Sequence, residues 1–111
     1  MIFDALDVVV VPFPFTDRQT SKRRPALVVS SADFNDAHEQ SILAMVTSVR
    51  APWPSDVTIQ DWQEAGLNVP CKVRFKLFTV DDGLIVRRIG SLSTRDARTV
   101  RTALSHVLVA A

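Results

Sequence analysis

Short runs of β-branched and aromatic residues recur along most of the chain, and each is cut off before it reaches helical length. DVVVVPFPF (Asp7–Phe15) is continuous in valine and then meets two prolines. An uninterrupted apolar run of this kind reads as a strand buried on both faces. Proline, which has no N–H to give a ladder, marks where the strand leaves the sheet, here Pro12. PALVVSS (Pro25–Ser31) is a second strand, with Pro25 at its first residue, where the missing N–H is tolerated. SILAMVTSV (Ser41–Val49) is a third. DVTIQDWQEAGL (Asp56–Leu67) opens with a short strand and continues into one or two helical turns, with Asp61 as N-cap and Gly66 as the αL stop. CKVRFKLFTV (Cys71–Val80) alternates Val73, Phe75 and Leu77 with Lys72, Arg74 and Lys76, the period of a half-exposed strand. DDG (Asp81–Gly83) is a tight-turn signal and predicts a hairpin between that strand and LIVRRIGSLS (Leu84–Ser93).

The connections are polar. TDRQTSKRR (Thr16–Arg24) and ADFNDAHEQ (Ala32–Gln40) lack periodicity and read as loops, and APWPSD (Ala51–Asp56) is a proline-broken loop. Only the tail changes period. In STRDARTVRTALSHVLVAA, Ser93 with Asp96 resembles a capping box, and Ala97, Val100, Leu104, Val107 and Leu108 form one apolar stripe of a helix. About six strands and one terminal helix in 111 residues predict a small, strongly curved antiparallel sheet or barrel. A chain of this length builds one core, so residues 1–111 are expected to be one domain. No apolar run approaches the ~20 residues of a membrane span. The opening MIFDALDVVVV carries acids rather than a basic stretch, so no signal peptide is predicted. Cys71, the single cysteine, excludes an intrachain disulfide and suits a reducing, cytoplasmic location.

Charge is unevenly divided. Of 13 cations and 12 acids, the stretch from Asp33 to Glu64 holds six acids and the one cation Arg50, so the flanks carry twelve cations and six acids. That pattern suits a polyanion met on one face, and solvated charge without a partner accounts for it equally. The densest cationic cluster, Lys22-Arg23-Arg24, stands directly before Pro25, at the mouth of the second strand. No paired Cys or His spacing suggests a metal site, since His38 falls in a predicted loop and His106 on the terminal helix. Three glycines do not make a phosphate-binding loop, and Cys71 without a nearby base reads as a small core residue. No cofactor is expected.

DVVVVPFPFTD, KRRPALVVSS, MVTS, DWQEAGL and KVRFKLFTVDDGLIVRRIGSLS, in that order over roughly Asp7 to Leu108, resemble the MazF/PemK family of toxin endoribonucleases. The resemblance implies a mainly β, small SH3-like barrel (MazF/PemK/CcdB type) with a C-terminal α-helix, assembled as a homodimer. It further implies metal-free cleavage of single-stranded RNA and neutralisation by a cognate antitoxin, with no membrane involved. Carried over by position, the family's catalytic pair falls on Arg24, the arginine before the proline, and Thr47, the threonine ending the third strand. Substrate contacts fall on Lys22, Arg23, Phe15, Thr16, Ser48, Arg74 and Lys76.

The chemistry suits these types. Attack of a ribose 2′-OH on phosphorus builds charge on the equatorial oxygens, and an arginine fork meets two of them. Pro25 restricts Arg24 to extended backbone, so the strand aims the side chain. The sequence also departs from the family. Some relatives pair an Arg with an Asp two residues on as acid and base; here Arg74 is followed by Lys76. Others use a His in the first loop, and Thr16 to Arg23 has none. Trp53 and Trp62 read either as base-stacking surfaces or as packing. Two non-enzymatic alternatives share the fold: an RNA- or partner-binding relative, and a gyrase poison whose C-terminal Trp-Gly-Ile has no counterpart in the terminal Leu-Val-Ala-Ala.

Overall fold

The computed structural model describes residues 2–12 and 22–109. Its elements run β1 (Asp7–Pro12), β2 (Arg23–Val28), α1 (Ala32–His38), β3 (Gln40–Thr47), β4 (Val57–Thr58), β5 (Lys72–Asp81), a 3-10 turn (Asp82–Leu84), β6 (Arg87–Ser91) and α2 (Thr94–Val107). The strands form one antiparallel sheet in the order β4-β5-β3-β2-β1-β6, curled into a half-barrel that carries the C-terminal helix. The valine run of β1 is explained by its place. It is paired to β2 on one edge and β6 on the other, and apolar clusters cover both of its faces. Val8 joins Leu27, Ala44, Val46, Val73 and Phe75 on one face, closed over by Ile59, Leu67 and Val100. Val9 and Val11 join Ala26, Val28, Leu43, Phe3 and Ile85 on the other. Pro12 is the last residue of β1, as its missing donor requires; Phe13 to Phe15 and most of the following loop lie outside the described residues.

Several expectations are corrected. The second strand begins at Arg23, so Pro25 is its third residue. There β2 is paired only to β1, because its ladder with β3 starts at Ala26, and an unpaired edge accommodates a proline. Residues 32–38 form a helix rather than a loop. Ser31 caps it by accepting from the Phe34 N–H at 3.2 Å, and Glu39 ends it in the αL region at φ 53°. It has no apolar stripe because one polar side chain, the buried Asn35, anchors it. The amide of Asn35 donates to the Phe3 carbonyl at 2.7 Å, and its oxygen takes the Ser30 hydroxyl.

Asp81 to Gly83 does not close a hairpin, since β6 pairs with β1 and not with β5. The carboxylate of Asp82 accepts from the Ser41 hydroxyl at 2.6 Å, and its N–H donates to the Glu39 carbonyl, which ties the turn back to β3 while the chain crosses to β1. On α2 only the first part of the stripe is covered. Val100 is fully buried and Ala97 and Leu104 pack against the core, whereas Val107 and Leu108 are exposed.

Residues 60–66 make a single turn, with the Ala65 N–H on the Asp61 carbonyl at 3.1 Å and Gly66 at φ 87° as the expected αL stop. A Cβ at Gly66 would lie 2.1 Å from the Ile89 carbonyl oxygen, and one at Gly90 2.4 Å from that of Ala65, so the turn rests backbone to backbone on β6. Asp61 does not cap its own turn. Its carboxylate accepts from Arg95 and Ser93 instead, which holds its pKa down at about 2. The link is reciprocal. Asp96, buried in the first turn of α2, accepts the N–H groups of Gln60 at 3.0 Å and Asp61 at 2.9 Å. Ser93 caps Asp96, but Asp96 reaches the 60–61 backbone rather than Ser93's own N–H, so the predicted box is half formed.

Removing the Asp96 carboxylate leaves the Gln60 and Asp61 N–H groups without their acceptor and unties α2 from the 60–66 turn. Asp96→Ala is expected to lower unfolding free energy by about 3 kcal/mol, measured by urea denaturation. A loss below ~0.5 kcal/mol would show that water replaces the carboxylate and that the helix docks without it.

Candidate active site

The register of the sheet gathers the cationic residues on one face. Ala26 lies opposite Met45 and Val28 opposite Leu43; continued two residues past the last pair, the same register sets Arg24 opposite Thr47. Thr47 in turn pairs with Lys72, and Met45 with Arg74. Side chains directly opposite share a face, so Arg24, Thr47, Lys72 and Arg74 extend the face that Val9, Val11 and Ala26 occupy deeper in the sheet. Arg24 is half-buried at the start of β2, while Lys22 and Arg23 beside it are exposed. Phe15 and Thr16 lie outside the described residues.

At the open end of the other face, the one that Val8 and Val10 occupy, a cleft of about 470 Å³ is lined by Arg23, Arg24, Pro25, Cys71 and Arg87 among others, with no carboxylate among its described lining residues. The register brings Arg87 and Arg23 to this face from the two edges of β1, opposite Val10 and Pro12, while Arg24, opposite Val11, borders the cleft from the strand between Arg23 and Pro25. A second, smaller hollow of about 170 Å³ contains Thr47, Ser48 and Lys72, and it also includes Cys71. The two hollows therefore adjoin at Cys71. That thiol is buried, its pKa raised by burial, and it donates to the Val69 carbonyl at 3.3 Å, the behaviour of a packing residue. Thr47 is 6% exposed, and its Oγ1 accepts from the Val49 N–H at 3.2 Å, which fixes the hydroxyl where the chain leaves the sheet and keeps its proton for another acceptor. Ser48 is exposed next to it.

The alternation of Lys72, Arg74 and Lys76 does not leave all three in solvent. Arg74 is buried and forks onto Asp56, Nε to Oδ1 at 3.1 Å and Nη2 to Oδ2 at 3.0 Å, with a further bond to the Ala51 carbonyl at 2.8 Å. Lys72 lies 3.5 Å from the same carboxylate and donates to Ala51 as well. Lys76 is exposed, with its ammonium 5.2 Å from the Trp53 ring centre. The acid that organises this region, Asp56, has no sequence signal of its own; it stands in a proline-rich loop and meets Arg74 only through the fold. Arg87 is another residue that only the strand order brings to the cleft. Among the described residues no group of His, Cys, Asp and Glu is arranged to hold a metal ion, and no helix is long and apolar enough to cross a membrane.

The Arg74 fork, then the Trp53 N–H and the Lys72 charge, hold the Asp56 carboxyl below the ordinary carboxylate range, against the opposing effect of burial. A carboxyl with a depressed folded pKa adds stability that is fully present above about pH 4 and is lost as pH falls. The melting temperatures of the parent and Asp56→Asn should therefore differ most at neutral pH and converge toward pH 2. A constant gap between pH 7 and pH 2 would show that the charge of Asp56 is not what holds the loop.

A family model described as PemK-like, MazF-like toxin of type II toxin–antitoxin systems matches residues 4–108. Among solved structures, MazF from Deinococcus radiodurans is similar at TM-score 0.74 and 24% identity, with 96% of each chain covered. A MazE–MazF structure from the same organism aligns at TM-score 0.76 and 23% identity over 96% of each chain. An endoribonuclease in complex with its cognate antitoxin from a mycobacterial species aligns at TM-score 0.74 and 14% identity, covering 95% of this chain and 91% of the other. At these identities the structures establish the shared fold. No curated protein matches the sequence.

Proposed function

The chain belongs to the family of PemK-like, MazF-like toxins of type II toxin–antitoxin systems, and from that premise we propose that it is a metal-independent endoribonuclease acting on single-stranded RNA. The observation that carries the proposal is the cleft lined by Arg23, Arg24 and Arg87 adjoining the Thr47 hollow, since a phosphodiester is met by clustered cations with a hydroxyl donor beside them. In the proposed reaction the 2′-oxygen of a ribose attacks the adjacent phosphorus. The bond from phosphorus to the 5′-oxygen breaks, giving a 2′,3′-cyclic phosphate and a free 5′-hydroxyl. Arg24 meets the charge that grows on the non-bridging oxygens, and the Thr47 hydroxyl donates to the same phosphate.

An always-charged arginine and a neutral threonine are poor proton acceptors at pH 7. The 2′-OH proton therefore passes to water, and the 5′-oxygen takes one from water. Electrostatic stabilisation is the main contribution of the chain in this reading. Lys22, Arg23 and Ser48 hold the strand, and Arg74, already forked on Asp56, holds the loop that follows Thr47. A cognate antitoxin, a homodimer and a cytoplasmic location complete the proposal. The antitoxin is supported by the relatives solved as MazE–MazF complexes, and the dimer by the prevalence of two-fold closure.

Arg24→Ala is expected to reduce cleavage by about 10²–10³-fold, and Arg24→Lys to restore only part, because a point charge cannot reproduce the fork. Thr47→Ala should be similarly impaired, with Thr47→Ser retaining a useful fraction. The assay is cleavage of a labelled oligoribonucleotide in EDTA, with the fold checked by circular dichroism. An Arg24→Ala, Thr47→Ala double variant that cleaves at the parental rate would overturn the assignment. Parent protein that binds RNA without cutting it would mark a binding module instead.

A further inference from the structure

Trp53 is an aromatic side chain that the core does not explain. It belongs to neither apolar cluster and is 41% exposed, whereas Trp62 is half-buried against the core. Its backbone is nonetheless tightly held. The Asp56 N–H donates to the Trp53 carbonyl at 3.1 Å, and the Trp53 N–H donates to Asp56 Oδ2 at 2.9 Å, closing a four-residue turn. Pro54 fixes the second position of that turn, and Ser55 occupies the third at φ 70°, where glycine is the usual residue. A non-glycine residue in the left-handed region persists only when its surroundings over-determine it. Here they do so through Asp56, which is clamped in turn by Arg74.

The chain thus spends local strain to hold an indole in solvent. The position of that indole relates it to the proposed chemistry. Its loop starts directly after Thr47 and is strapped to β5 by Lys72, which lies opposite Thr47 and donates to the Arg50 and Ala51 carbonyls. Over the ring stand the Arg74 guanidinium carbon, 5.9 Å from its centre, and the Lys76 ammonium, 5.2 Å from it. The nearby carboxylate, Asp56, is already engaged by Arg74 and Lys72, while Lys76 makes no ion pair among the described residues.

A rigid, partly exposed indole with cations held against it suits a stacked base and its phosphate, since bases stack on aromatic side chains while lysine or arginine meets the backbone. We propose that Trp53 is a base-stacking platform for the single-stranded RNA at the Thr47 site, with Lys76 meeting the phosphate of the stacked nucleotide. The assignment rests on the endoribonuclease reading for the identity of the ligand, and it adds a residue that determines where along the strand a base is held.

The test uses the full chain and a single-stranded oligonucleotide carrying 2′-O-methyl groups, which cannot supply the nucleophile. Trp53→Ala should raise Kd by about 5- to 150-fold, the equivalent of one lost base stack, while Trp53→Phe, which keeps a ring, stays within a few-fold of the parent. With cleavable RNA the loss should fall on KM more than on kcat. An abasic position placed in turn along the oligonucleotide should weaken the parent at one position where it no longer weakens Trp53→Ala, the coupling expected of a direct contact. Lys76→Ala should reduce the slope of log Kd against log salt by about 0.7.

Trp53→Ala with parental Kd, or abasic effects that add at every position, would overturn the proposal. Should Trp53→Ala fail to fold, the quench of tryptophan emission on binding decides: it must be present in the parent and absent in Trp53→Phe. Parent protein that binds the oligonucleotide but does not cleave RNA would defeat the catalytic reading and leave the Kd comparison to decide the stack. Parent protein that binds no single-stranded RNA defeats both.

Discussion

Strand β1 is buried on both faces and hydrogen-bonded on both edges, and the remaining architecture is arranged around that constraint. A strand in this position must be apolar along its interior, which Val8 to Val11 satisfy, while the buried Asp7 at its start is paired to Arg88. It must also be joined on each side by chain that arrives from elsewhere. β2 comes back along one edge after the first loop, and β6 crosses from β5 by way of the Asp82–Leu84 turn to take the other. Two arginine-bearing strand ends therefore flank the last residues of β1, and the cationic cleft follows from how the sheet is closed.

A second constraint is electrostatic. Cations set opposite one another on a sheet face repel, and Lys72, Arg74 and Lys76 project from one face of β5 at intervals of about 7 Å. Asp56 relieves the crowding by taking the Arg74 fork and the Lys72 charge, and the same carboxylate fixes the Trp53–Asp56 turn. One acid thus neutralises the strand where the loop must dock, and Lys76 beyond it makes no ion pair among the described residues. The Asp61–Arg95 and Asp96–Gln60 contacts do the equivalent for α2, joining a helix N-terminus to the one-turn segment that Gly66 ends.

How much of this is legible before the chain is folded depends on whether the signal is local. Strands β1, β3 and β5 and the helix α2 follow from hydrophobic period and capping residues, because each buries apolar side chains spaced along one segment. Helix α1 does not, because its anchor is the single amide of Asn35 bonded to Phe3, 32 residues away. The Asp81–Gly83 signal is a true turn signal read to the wrong partner: a turn reverses the chain, but the strand that receives it is decided by which edge is vacant, and that edge belongs to β1. Val107 and Leu108 continue the helical stripe in sequence yet pass beyond the end of the surface that α2 covers.

The sequence by itself determined the kind of protein: a small curled antiparallel sheet with a C-terminal helix, and a cationic triplet held against a proline at a strand's start. Period, proline and charge act within a few residues, so they are fixed as soon as the chain is written. Only the tertiary structure decided that Arg87 joins Arg23 and Arg24, that the register carries Arg24 toward Thr47, and that Arg74 meets Asp56 and so leaves Trp53 in solvent. Those relations depend on strand order and register, which are set by the collective burial of two sheet faces. A one-residue slip would turn every one of these side chains to the opposite face.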